Sequence, residues 1–124
     1  SLMLIFSVMF SSASYADWTK VSENVSGDTF YVDFERIREK DGYVYYWTLT
    51  DSLKPHESGT LSAKGYIQGD CELFRVKRLS WSFHKEPMGG GTGLVDNEPD
   101  KNWSYPSPDS SMETTLKAAC KYAK

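Results

Sequence analysis

Two cysteines, Cys71 and Cys120, stand 49 positions apart in a chain whose first residues read as an export signal, and together these features limit the fold more than any other. Leu2 to Phe10 is an apolar block, and Ser11 to Tyr15 are small or polar. Ser14-Tyr15-Ala16 then offers small residues at the alternate positions that signal peptidase requires. The block is far shorter than the roughly 20 apolar residues that span a bilayer. Residues 1–16 are therefore expected to be a signal peptide, with a mature single domain over residues 17–124. The first residue is not Met and no positive n-region precedes the block, so Ser1 is expected to be a truncated start; an uncleaved anchor is the alternative. No Cys stands at the cleavage junction to take a lipid. The expectation is an exported protein of the periplasm or beyond, not lipid-anchored and with no stable membrane insertion after cleavage. In that oxidising setting an even number of cysteines predicts a Cys71–Cys120 disulfide, and closing so long a loop stabilises by about 4 kcal/mol in the chain-entropy account. Two unpaired thiols are the alternative.

The formal net charge of −3 gives no global attraction to nucleic acid or anionic lipid, so any basic site must be local. The mature length suits one domain with one modest core. With 4 Trp, 8 Tyr and 6 Phe, the chain favours half-buried strands.

Trp18 to Val21 and Thr29 to Asp33 read as a first hairpin around Ser26-Gly27-Asp28. Phe34 to Ile37 reads as one helical turn or an irregular link, ended by Lys40-Asp41-Gly42, a strong turn signal. Tyr43 to Thr50 is the best strand, apolar on both faces: Tyr43, Tyr45, Trp47 and Leu49 oppose Val44 and Tyr46, which predicts a central position. Lys54 to Gly59 is a loop, Thr60 to Gln68 is extended, and Gly69-Asp70 is expected to turn the chain. Cys71 to His84 reads as one long strand with a bulge near Arg75 to Arg78, and Leu79, Trp81 and Phe83 sharing a face. Met88 to Gly93 is a glycine-rich turn, followed by a long surface loop from Val95 to Pro108 in which a short strand has room to form. Ser110-Ser-Met-Glu113 fits a capping box. Met112, Leu116, Ala119, Cys120 and Ala123 then recur at helical spacing, so the chain ends in an amphipathic helix that the disulfide would pin to the sheet.

Few residues suggest covalent chemistry. Gly89 to Gly93 lacks the Lys-Ser/Thr and the following helix of a phosphate loop. His56 and His84 sit in no zinc array, no G-x-S-x-G elbow is present, and oxidised cysteines supply no thiolate. No cofactor, no metal and no enzymatic activity are expected. Arg75, Lys77, Arg78, Trp81, Phe83, His84 and Lys85 interleave cations with rings and are expected to share one exposed strand surface. Such a surface binds acidic protein segments or sulfated polysaccharide through charge and cation–π contacts. The alternative is a solvated outer face over an apolar inner one. Weak homodimerisation through strand edges is also consistent with this pattern.

Several of these elements, taken in order, resemble the surface-adhesin protein E family of Gram-negative bacteria. They are Trp18, Phe30-Tyr31-Val32-Asp33 leading to Arg36-Ile37, the Val44 to Leu49 strand with Asp51, Ser62-Ala63-Lys64 before Asp70-Cys71, the Arg78 to Phe83 strand, Met88-Gly89, Trp103 and a last Cys120. The resemblance spans nearly all the mature chain. It implies an α+β fold, an antiparallel sheet of about six strands with a C-terminal helix tied to it by the disulfide. It further implies binding of host matrix and serum proteins such as vitronectin, laminin and plasminogen through a segment matching Cys71 to His84. A role in holding a small ligand or another component of the bacterial envelope is the alternative.

Overall fold

The computed structural model describes residues 17–123, so the expected signal peptide lies outside the described residues. Strands β1 (Trp18–Glu23) and β2 (Thr29–Asp33) form the first hairpin, and a 3-10 turn at Phe34–Arg36 leads to β3 (Arg38–Lys40). Strands β4 (Tyr43–Asp51), β5 (Ser62–Asp70), β6 (Arg75–His84) and β7 (Gly93–Asp96) follow, and helix α1 (Ser111–Ala123) closes the chain. All neighbours pair antiparallel, in the order β1-β2-β4-β5-β6-β7. β3 extends the β2 side, pairing with Tyr43–Tyr45 while β2 pairs with Thr48–Asp51. The predicted α+β architecture is the observed one.

β3 was not legible in the sequence because Arg38-Glu39-Lys40 carries no apolar side chain; all three residues are exposed. The turn that folds it back was legible. Asp41 and Gly42 take φ of 54° and 85°, the left-handed pair of a tight turn that Asp-Gly supplies at low cost.

Alternation along β4 divides the sheet into two faces. Val44 and Tyr46 turn toward α1 and join Ile67, Val76, Leu116 and Ala119 in the core. Burial without a charged neighbour pushes the Tyr46 phenol well above its usual range, so it stays neutral. The helix packs over β1, β2 and β4. Its start follows the expected chemistry: Ser110 Oγ accepts the Glu113 amide at 3.1 Å, and Glu113 Oε1 reaches back to the Asp109 amide at 2.9 Å. Cys71 and Cys120 are bonded, with Cα atoms 5.8 Å apart, so the sheet and the end of the helix are joined covalently.

The opposite sheet face carries no helix. At one end it is covered by the 3-10 turn Pro87–Gly89, whose Met88 and Gly89 amides donate to Asp51 Oδ1 at 2.7 Å and Ser62 Oγ at 2.8 Å. The rest is open.

Candidate functional surface

The first correction concerns where β6 begins. Gly69 and Asp70 are the last residues of β5, and Cys71 to Phe74 form the turn, so the second strand starts at Arg75. Asp70 makes the turn through its side chain. Oδ1 accepts the amides of Glu72 and Leu73, each at 3.1 Å, and Oδ2 accepts Arg75 Nε at 2.9 Å. Burial pushes this carboxyl upward, but the Leu73 amide, the Arg75 guanidinium and the Glu72 amide outweigh it and hold it below the ordinary carboxylate value. Desolvation pulls Arg75 down, and its bonds to Asp70 and Tyr105 more than restore it. Arg75 is thus committed to the turn that carries Cys71.

The second correction concerns the cationic run, which does not share one surface. Arg75 and Lys77 rise on the open face, where both lie over the Trp103 ring at 4.2 Å and 4.9 Å from its centroid; Tyr43 meets the same ring at 5.5 Å. Arg78 points to the helix side with Val76, donates to Asp100 Oδ2 at 3.2 Å and lies 5.4 Å above Trp81. Trp81 in turn stacks on Phe83 at 5.9 Å. Tyr66 pairs with Ser80 and Ile67 with Arg78, so Leu79 is the extra residue of a bulge just past the expected stretch. That one insertion returns Trp81 to the face of Arg78. His84 is only 5% exposed, bonded through Nε2 to Ser82 Oγ at 2.9 Å, and offers no surface. Lys85 is exposed just beyond the strand. Among the described residues, Lys77 and Lys85 form no ion pair, whereas Arg75 and Arg78 are matched by Asp70 and Asp100.

Trp103, Tyr43, Tyr45, Trp47 and Tyr66 were not named as site residues from the sequence, yet they build the open face. Trp47 and Tyr66 sit opposite each other on β4 and β5, with ring centroids 4.8 Å apart, and Tyr45 lies 6.2 Å from Tyr66. The signal was present in the alternation of Tyr43, Tyr45 and Trp47 along one strand face; the loop residue Trp103 had none.

Two concavities flank these rings. On the open face a slot of about 120 Å³ is lined by Trp18, Asp33, Arg36, Trp47 and Lys64. On the helix side a cleft of about 130 Å³ lies between the start of α1 and the sheet, lined by Phe30, Ile67, Arg78, Trp81 and Met112 among others. Among the described residues, no three His, Cys, Asp or Glu side chains come together as metal ligands would. Likewise, no helix is long and apolar enough to cross a membrane.

Comparison with known proteins agrees with this architecture. The family model for surface-adhesin protein E matches residues 18–121. A crystal form of Haemophilus influenzae protein E superposes with a TM-score of 0.66 at 18% identity, covering 91% of this chain and 98% of that one. A second structure, of its selenomethionine form, gives a TM-score of 0.63 at 17% identity, covering 89% and 93%. At these identities the likeness concerns the fold. No curated protein sequence matches the chain.

Proposed function

The chain belongs to the surface-adhesin protein E family, and from that membership we propose that it is an exported, non-enzymatic binding domain that meets its partner through the open face of the sheet. The partner is a matrix or serum protein presenting an acidic segment, or an acidic polysaccharide. The carrying observation is Lys77, a cation without a carboxylate partner among the described residues, held over Trp103 beside the rings of β4 and β5. A chain with net charge −3 meets an acidic partner only where its own acids are absent or already paired, as Asp70 is here. Lys85 is exposed at the other end of β6, beside Gly59, and is a separate positive charge. Weak self-association through strand edges belongs to the same proposal, since Leu94 and Val95 lie exposed on the edge strand β7.

The test is capture of the exported chain on surfaces coated with vitronectin, laminin or plasminogen. Lys77→Glu is expected to lower capture about tenfold and to flatten its salt dependence, while Arg78→Gln, on the helix side and still able to donate to Asp100, leaves it close to wild type. Equal capture by wild type and Lys77→Glu would remove the open face from the proposal. The alternative function, an envelope accessory holding a small ligand, is favoured by the cleft under α1, where Trp81 Nε1 is buried without an acceptor. Selective recovery of a cell-envelope component in place of matrix proteins would support it.

A further inference from the structure

Trp18 pairs directly with Asp33 across β1 and β2. Thr48 pairs with Val32 across β2 and β4, so Trp47 is the next residue in the same row. Asp33 therefore lies on the strand between two tryptophans whose backbones are about 10 Å apart, twice the distance between neighbouring strands. Trp47 uses its β5 side to stack on Tyr66 at 4.8 Å. Its other side looks over β2 toward Trp18, and the slot of about 120 Å³ between them has room for about four water volumes.

The floor of this slot is acidic and its rim is basic. Asp33 is 1% exposed, lies 3.3 Å from Arg36 Nε, and has neither carboxylate oxygen in a hydrogen bond among the described residues. Arg36 and Lys64 both line the slot; Arg36 is held by Asp33, and Lys64 forms no ion pair among the described residues. A cationic guest would meet repulsion from Lys64. An apolar guest would cover the Lys64 ammonium without pairing it, at a desolvation cost. A Glu or Asp side chain from a peptide brings the acid but only a thin methylene stem to set between two indoles. The chemistry that satisfies both walls and rim is a ring with C–H faces that also carries a carboxylate or sulfate.

We propose that the Trp18–Trp47 slot seats one acidic sugar unit of a polysaccharide, its ring between the indoles and its acid on Lys64. This rests on the open sheet face being the binding surface and narrows its partner to an acidic glycan. Such a seat shares with small-molecule sites aromatic walls that give contact area and charged groups that fix orientation, but at about 120 Å³ it is smaller than most and leaves part of the sugar in solvent.

The exported chain is titrated with a hyaluronan tetrasaccharide and a heparin-derived tetrasaccharide, with cellotetraose and tetraglutamate as neutral and peptide comparators. Calorimetry gives affinity, and the indole N–H resonances of Trp18 and Trp47 report the location. At least one acidic tetrasaccharide is expected to shift both resonances saturably, while both comparators bind about tenfold more weakly. Lys64→Gln and, separately, Trp18→Ala each weaken binding by about tenfold, as the loss of one charge-assisted contact or one ring contact should. Absence of a shift with both acidic sugars, equal binding of tetraglutamate, or unchanged affinity in folded Lys64→Gln would overturn the proposal. Capture on matrix proteins, measured on the same variants and on Lys77→Glu, tells the two failures apart. If Lys77→Glu loses matrix capture while no acidic sugar binds, only the slot is refuted.

Discussion

At the end of β5 a single carboxylate organises the turn that carries Cys71. Asp70 accepts two amides and one guanidinium N–H, and it is held ionised below the ordinary carboxylate range. A group whose folded pKa is depressed contributes stability above its unfolded value, about 3.9, and loses that contribution as pH falls through the lower folded value. Asp70→Asn is therefore expected to cost about 1–3 kcal/mol at neutral pH, because a buried acceptor of several bonds is weakened. The difference from wild type should persist down to about pH 4 and shrink below it, which urea denaturation at several pH values will measure. A gap independent of pH would mean that the charge is not what stabilises the turn. The same residue marks a limit of local sequence rules: Gly69-Asp70 does signal a turn, but it acts from the strand end through a side chain, so the turn follows it and the next strand starts four residues later than expected.

At Gly69 on β5 the absence of a side chain leaves room for Leu116 of the helix. A methyl group there would lie 2.7 Å from Leu116 Cδ1, 3.0 Å from Val44 Cγ2 and 3.1 Å from Tyr46 Cε1. Leu116 is fully buried. Gly69→Ala is expected to cost about 1–3 kcal/mol by overpacking and Leu116→Ala about 2–5 kcal/mol by opening a cavity. Because the added methyl fills part of that cavity, the double variant should lose clearly less than the sum, as a double-mutant cycle of denaturation free energies will read. Strict additivity would place the two residues out of contact. At this scale β4 and α1 were legible, each from its own period. β3 was not, since a three-residue charged strand has no period to detect and exists only because the Asp41-Gly42 turn folds it back on β4.

Across the whole molecule, the disulfide joins the turn before β6 to the last turn of the helix, closing 49 residues into one loop. Reduction is expected to destabilise by about 2–5 kcal/mol and to loosen α1 first, because its remaining hold is the short apolar stripe of Leu116, Ala119 and Ala123 with the Tyr122–Phe34 ring contact. Amide exchange of α1 with and without reductant will test this, and equal protection in both states would show that packing alone holds the helix. The sequence alone determined the covalent pairing, the central aromatic strand and the terminal helix, since compartment, alternation and helical spacing are properties of neighbouring residues. Only the tertiary structure decided which cations meet which rings. Arg75 and Lys77 were separated from Arg78 by the pleat, Trp81 was turned to the helix side by one extra residue at Leu79, and Trp103 arrived from a distant loop. The row of Trp18, Asp33 and Trp47 likewise depends on register across three strands, which no local pattern carries.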